Sequence, residues 1–152
     1  MQKYILTQLG VKNQMPLFSR KKDPAVQSFI LSLLNQNCPA LHERLDGPRL
    51  EGRVNLTMVV MVVPVEDKKP LVRQAFAAIT KEFSSSGVAV VVDHPCGPDE
   101  ALLGFRWRGG ITWIRAKAKH LHPMGGGFFQ LGFGLTERLH AADYPELARL
   151  VF

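Results

Sequence analysis

Apolar residues near the start of the chain follow a spacing of three and four, which is typical of an amphipathic helix. The residues at this spacing are Val26, Phe29, Ile30, Leu33 and Leu34. Asp23-Pro24 precedes them and suits a helix start, with an acceptor at the N-cap and a proline in the first turn. We therefore predict an N-terminal amphipathic helix that runs to about Asn35. Its apolar stripe has to pack on the chain's own sheet or on a second copy of the chain.

Beyond residue 50 the apolar residues form shorter runs that alternate or are rich in valine and isoleucine, as in β-strands. Glycine pairs and triplets separate several runs, and Gly109-Gly110 suits a hairpin turn. Residues 71–81 fit either a helix or a strand, and we favour a strand. The predicted strands are 54–65 (broken at Pro64), 71–81, 88–92, 102–108, 111–122 and 128–135. This pattern predicts a mainly β protein built as an antiparallel barrel.

The C-terminal residues have the features of a helix start. Asp143 and Glu146 are spaced as in a capping box, and Pro145 falls in the first turn. We therefore predict a short C-terminal helix over residues 146–151 that packs on the sheet or on the end of the barrel.

Composition limits the classes of protein that fit this pattern. The 152 residues suit one domain of ordinary size, 46% are hydrophobic, and the formal net charge is +6. The positive charge favours an anionic partner such as a nucleotide or a nucleic acid. Cys38 and Cys96 are too few for a secreted disulfide scaffold. Without a signal-peptide pattern or an apolar run near the roughly 20 residues of a membrane span, we expect a soluble, cytoplasmic protein.

Two short motifs carry the chemistry of this sequence. The segment Arg49-Leu50-Glu51-Gly52-Arg53 is an R-x-x-x-R element directly ahead of the first long strand. The segment Glu82-Phe83-Ser84-Ser85-Ser86-Gly87 lies about 30 residues later, ahead of the strand 88–92, and holds three of the chain's six serines. Hydroxyls and exposed backbone N–H groups ahead of a rigid strand are typical of a small-molecule site.

In order and position these motifs resemble those of the PilZ family, which has R-x-x-x-R before its barrel and D/N-x-S-x-x-G at a strand end. Glu82 stands where the family has Asp or Asn. The resemblance covers about residues 44–151, so we divide the chain into an arm and helix (1–43) and a barrel domain (44–152). It implies a six-stranded β-barrel that binds the bacterial second messenger cyclic di-GMP. The ligand-binding residues that it implies are Arg49, Arg53, Glu82, Ser84 and Gly87.

These residue types suit that ligand. The guanidinium groups of Arg49 and Arg53 can form forked bonds with phosphate oxygens or with guanine O6 and N7, and can stack on a purine. The Glu82 carboxylate can accept from guanine N1–H and N2–H₂, and Ser84 can bond to a base or a phosphate. Gly87 is expected to give steric clearance and a turn with φ > 0. None of these roles needs catalysis or a cofactor.

Two expectations concern signalling. We expect the segment 44–53 to become ordered around the ligand and to signal through contacts with a downstream protein, in motility, exopolysaccharide production or virulence, as in the family. A homodimer through the N-terminal helix would fit its apolar stripe. The Glu82 departure leaves open a barrel that has lost its nucleotide and serves only as an interaction module.

Three other classes stay open on the sequence. Arginines interleave with Phe105 and Trp107, as in barrels that bind single-stranded nucleic acid, although the alternation directs both aromatic side chains inward. His120 and His122 share a strand face, and His94 and Cys96 share a loop, but no C-x-x-C or H-E-x-x-H motif supports a metal site. No G-x-S-x-G motif supports a hydrolase.

Overall fold

The computed structural model describes residues 23–37, 53–95 and 97–152. The predictions that fall on Arg49, on the ordering of the segment 44–53 and on Cys38 and Cys96 lie outside the described residues.

One α-helix and eight strands form the described part of the chain, with three short 3₁₀ segments at Val72–Gln74, Ala141–Asp143 and Pro145–Arg149. The helix and strands are α1 (Pro24–Asn37), β1 (Val54–Asn55), β2 (Val59–Glu66), β3 (Lys69–Pro70), β4 (Phe76–Phe83), β5 (Gly87–Val92), β6 (Glu100–Trp107), β7 (Gly110–Gly125) and β8 (Phe128–Arg138).

The strands close into an antiparallel barrel. Six of them pair in the order β2-β4-β5-β8-β7-β6, and β2 pairs with both β4 and β6, which joins the two ends of the sheet. The remaining two strands extend the margins, because β1 pairs with β4 and β3 pairs with β2. The mainly β, six-stranded antiparallel barrel is therefore confirmed, and closure leaves its six strands without an open edge between them.

The helix α1 and the barrel interior share one hydrophobic core. All five apolar residues of the helical stripe are buried, and Ile30, Leu33 and Leu34 have no exposed surface. Phe29 lies 5.7 Å from Phe105 between ring centroids and meets Trp107 edge-on at 5.9 Å. Of the two packing partners considered for this stripe, the structure uses the chain's own sheet.

The first long strand is interrupted at a different place from the one predicted. Pro64 lies inside β2, where its carbonyl accepts from the Leu71 N–H at 2.8 Å, and the break falls at residues 56–58. The buried Thr80 bridges this break: its hydroxyl donates to the Leu56 carbonyl at 2.7 Å and accepts from the Met58 N–H at 2.9 Å. Two backbone bonds persist across the break, from the Leu56 N–H to the Lys81 carbonyl at 3.3 Å and from the Thr80 N–H to the Met58 carbonyl at 2.8 Å, so the Thr80 side chain adds to the backbone ladder there.

Two local predictions need correction. The predicted strand over 71–81 begins only at Phe76, after a 3₁₀ turn at Val72–Gln74. The hairpin turn is Arg108-Gly109, one residue earlier than predicted, because Trp107 pairs with Gly110 and both turn residues have positive φ (47° and 78°). Two central residues in the left-handed region match a type I′ turn, which suits the twist of the paired strands.

The C-terminal prediction is also corrected. The segment Pro145–Arg149 is a 3₁₀ helix, Tyr144 precedes it, and no side chain caps its start, so the capping-box interpretation is wrong. Tertiary contacts determine this ending instead. Leu147 and Leu150 pack with Trp113 outside the barrel, and the Tyr144 hydroxyl accepts from Arg115 Nη2 at 2.7 Å.

Candidate ligand-binding cleft

A cleft of about 640 Å³ lies on the outer surface of the barrel, over β4, β5, β8 and β7, with the start of α1 at one border. Four of the five predicted ligand-binding residues line it, namely Arg53, Glu82, Ser84 and Gly87. The fifth, Arg49, lies outside the described residues. Residues from the two sequence motifs therefore meet in one cavity.

Strand register explains the shape of this cleft. Glu82 pairs with Ala89, Ala89 with Gly132, and Gly132 with His120, so these four residues form one row across four strands. We call them the cleft row. Their neighbours Phe83, Val88 and Phe133 point into the core, so the cleft row faces outward. The Cα atoms of Glu82 and His120 are three strand spacings apart, about 14 Å. Between them, Ala89 forms a low floor, and the His120 ring covers Gly132.

One wall of the cleft is an ion pair. Arg53 Nη1 donates to Glu82 Oε1 at 2.8 Å, with side chains 68% and 18% exposed respectively. Gln130 Nε2 donates to the same oxygen at 3.4 Å, and Lys81 Nζ donates to Gln130 Oε1 at 2.9 Å. Arg53 reaches Glu82 because β1, which starts one residue later, pairs with the end of β4. The ion pair thus joins the last arginine of the first motif to the first residue of the second.

The serine loop is the hairpin turn between β4 and β5. The Ser84 N–H donates to the Gly87 carbonyl at 2.9 Å, and the Ser84 hydroxyl accepts from the Ser86 N–H at 3.4 Å. The Ser86 carbonyl accepts from the Leu135 N–H at 2.8 Å, which fixes the loop to the end of β8. The loop backbone is therefore held on both sides, and the Ser84 hydroxyl lies at the cleft.

Gly87 is required for a different reason from the one predicted. Its φ is not positive, so the expected left-handed turn is wrong. A Cβ at this position would lie 2.7 Å from the carbonyl oxygen of Phe133 on the neighbouring strand β8. Glycine is needed here because two backbones approach closely. The steric clearance predicted for a ligand stays a prediction.

The opposite wall consists of two residues that sequence reasoning did not assign to the site. His120 lies over Gly132, and Lys119 lies over Gly134 with its Cε 2.6 Å from where a Cβ of that glycine would be. A register shift between Ala118 and His120 determines which way these two side chains face. The signal that was missed is the pair of glycines within a strand, which marks a close approach by another group.

His120 is held near neutrality by its surroundings. Burial lowers its pKa below the usual value, electrostatic repulsion from His122 and Arg53 lowers it further, and Glu82 acts in the opposite direction. The rings of His120 and His122 stack with centroids 4.9 Å apart. At pH 7 the cleft therefore holds an uncharged imidazole opposite the ion pair.

The described residues test two alternative sites. In this part of the chain no group of three or more His, Cys, Asp and Glu side chains is arranged to hold a metal ion, and His94 bonds with its neighbour Asp93. Phe105 is fully buried and Trp107 packs on Phe29, so the inward direction of both aromatic residues is confirmed. Along the described ranges no helix has the length and apolar character needed to cross a membrane.

Comparison with protein families and curated sequences finds no relative. No protein-family model matches the chain, and no curated protein is significantly similar to it in sequence. What the fold and the site define is a class: a closed six-stranded antiparallel barrel with a charged cleft on its outer surface. The PilZ resemblance stays a hypothesis that rests on the two motifs.

Proposed function

We propose that this protein is a cytoplasmic, PilZ-like receptor for cyclic di-GMP that signals through protein contacts and performs no catalysis. The observation that carries the proposal is the cleft in which Arg53, Glu82, Ser84 and Gly87 lie together. These residues come from two motifs separated by about 30 positions, so their meeting depends on the fold.

The charges and the shape of the cleft suit a ligand with two phosphates and two purines. Arg53 and Lys119 supply positive charge on opposite walls, which matches phosphates held at separate points. The small side chain of Ala89 leaves a low floor between Glu82 and the His120 ring, which covers Gly132, and a flat base can lie on this floor. Glu82 supplies the acceptor that a guanine edge requires, from its N1–H and N2–H₂ donors.

Binding requires the ion pair between Arg53 and Glu82 to rearrange. Because the Arg53 side chain is 68% exposed, the pair belongs to the surface type, worth about 0.2–1 kcal/mol. A charged hydrogen bond to a ligand is worth about 1.5–3 kcal/mol. Loss of this weak pair therefore opposes ligand binding only slightly, and the same arginine can turn from Glu82 to a phosphate.

The same ion pair also favours a second function. Arg53 and Glu82 already satisfy each other, and the Gln130 amide contributes a second donor to Glu82. A barrel with this neutralised wall suits an interaction module that has lost its nucleotide. Glu82→Asp separates the two functions, because the shorter side chain restores the family residue and loosens the contact with Arg53.

Calorimetric titration tests the proposal. We expect wild-type protein to bind cyclic di-GMP and to bind GMP and GTP much more weakly. Arg53→Ala is expected to lower the affinity by about 10- to 100-fold, the equivalent of one lost charged hydrogen bond. Arg73→Ala is the matched control, since Arg73 is exposed and does not line the cleft. A ligand concentration 100-fold above Kd should stabilise the fold by about 2.7 kcal/mol.

The outcomes separate the two functions. Tight binding that Arg53→Ala weakens and Arg73→Ala leaves unchanged supports the receptor. Absence of heat in wild type with binding in Glu82→Asp supports a degenerate site with one faulty residue. Absence of heat in both contradicts nucleotide binding and favours the interaction module.

A further inference from the structure

His120 lies on the side of the cleft to which neither sequence motif contributes a residue. It is the last residue of the cleft row, with Glu82 at the other end and the small residues Ala89 and Gly132 between them. Its imidazole folds back over Gly132, where a Cβ would overlap the ring, so it leans toward the cleft rather than away from it. Gly132 therefore gives this ring its place in the wall.

We propose that His120 contacts the anionic ligand of this cleft and that protonation of its imidazole on binding makes the affinity depend on pH. The inference rests on the proposed function for the identity of the ligand. That the ligand is an anion is inferred from the cleft alone. It assigns a ligand-contacting residue outside both sequence motifs.

The groups around His120 determine the direction of the effect. Arg53, on the segment before β1, and His122, on β7, oppose its protonation, while Glu82 on β4 favours it. Lys119 precedes it on β7 and also lines the cleft. The residues that β5 and β8 contribute beside it, Ala89 and Gly132, carry no charge. Burial is the first cause of the lowered pKa of His120, and repulsion from these neighbours adds to it. An anion bound beside the ring acts in the opposite direction and favours its protonation.

The sign of the pH dependence follows from linkage. An anion beside the ring raises the pKa of His120 in the complex above its pKa in the free protein, so binding takes up a proton. Affinity is then highest below the pKa of the free protein and falls as pH rises through the pKa of the complex. Each unit by which binding raises the pKa corresponds to a tenfold change in affinity.

The first experiment follows the His120 ring by NMR in the full chain. Sulfate is the probe, with chloride at equal ionic strength as control, because sulfate keeps its double negative charge between pH 5.5 and 8. We expect sulfate to raise the pKa of His120. The ring signals of His122 should respond less to sulfate, since His122 is exposed and does not line the cleft. An unchanged His120 pKa at saturating sulfate contradicts the inference.

The second experiment measures cyclic di-GMP affinity at pH 5.5 and pH 8, where the phosphodiester charges of the ligand stay constant. Wild type is expected to bind up to about tenfold more tightly at the lower pH. His120→Gln should lose this difference while keeping the fold, because its side chain lies on the half-exposed outer face. His122→Gln, the matched control, should keep the difference and shift its midpoint to higher pH, because a like charge is removed.

The two experiments distinguish failure of the inference from failure of the proposed function. Binding of cyclic di-GMP with equal affinity at both pH values overturns the role of His120 and leaves the receptor intact. A rise in the His120 pKa with sulfate but no heat with cyclic di-GMP supports the anion contact and contradicts the proposed ligand. Silence with both probes overturns both.

Discussion

At the scale of single residues, close backbone contact decides what the cleft can hold. Gly87 and Gly132 lie on neighbouring strands, and each position is filled by a group from elsewhere in the fold. At Gly87 that group is the Phe133 carbonyl, and at Gly132 it is the His120 ring. Because neither residue has a Cβ, the serine loop can pack closely on β8 and the His120 ring can lie against the strand as part of the opposite wall.

Substitution of Gly87 tests this explanation. Gly87→Ala is expected to destabilise the protein by about 1–3 kcal/mol, because its Cβ would lie 2.7 Å from a backbone oxygen that a side-chain rotation cannot move. Gly110→Ala is the matched control, since its nearest neighbour would be 3.9 Å away and its φ is not positive. That change should be neutral or stabilise by about 0.4–1 kcal/mol. Equal midpoints of urea unfolding for both variants would contradict the role of close approach.

At the scale of elements, the helix α1 belongs to the core of the barrel. Its stripe packs on residues that point inward from the strands. Its first turn borders the cleft through Val26 and Gln27, together with Asp23 just before the helix. A change in how the helix sits would therefore alter both the core and one border of the cleft. A partner or a second copy that contacts α1 has to use the face opposite to the buried stripe.

Two leucines of α1 give a direct measure of this packing. Leu33→Ala is expected to destabilise the protein by about 2–5 kcal/mol, because Leu33 is fully buried between the helix and the barrel. Leu31→Ala makes the same chemical change at a half-buried position and should cost about 1 kcal/mol. The readout is the free energy of unfolding in urea. Similar losses for the two variants would mean that α1 does not pack as described.

At the scale of the whole molecule, closure of the barrel brings charges from distant segments to one surface. The chain carries a net charge of +6, yet the cleft holds both signs, with Glu82 between Arg53 and the Gln130 amide. Such a surface suits a small anion that also carries hydrogen-bond donors. It suits a long polyanion less well, because a chain of phosphates that binds to the positive side chains would also lie close to the Glu82 carboxylate and be repelled by it.

Salt dependence distinguishes these two kinds of ligand. Between about 50 and 200 mM NaCl, affinity for cyclic di-GMP should fall by at most about sevenfold, because two phosphates release few counterions. A single strand of about 20 nucleotides is the control, and any binding that it shows should fall by about 100-fold or more. Oligonucleotide binding that stays tight at the higher salt concentration would favour the nucleic-acid alternative.

The predictable part of the site came from motifs that are contiguous in sequence. Glu82, Ser84 and Gly87 belong to one loop, and Arg53 stands directly before a strand, so their types and spacing carried the resemblance. His120 could not be assigned in this way, because a bulge in β7 determines its direction. The prediction of a left-handed turn at Gly87 was wrong for a similar reason. The carbonyl that requires a glycine there belongs to Phe133, 46 positions later in the sequence.

The sequence by itself determined the helix, most of the strands and the barrel class, because hydrophobic periodicity and turn residues act between near neighbours. The tertiary structure alone decided that β2 pairs with both β4 and β6, that the C-terminal segment is a 3₁₀ turn, and that Glu82 and His120 end one row. These features depend on the register between distant strands. Packing of the whole core sets that register, since a shift by one residue would turn every side chain of a strand to the opposite face.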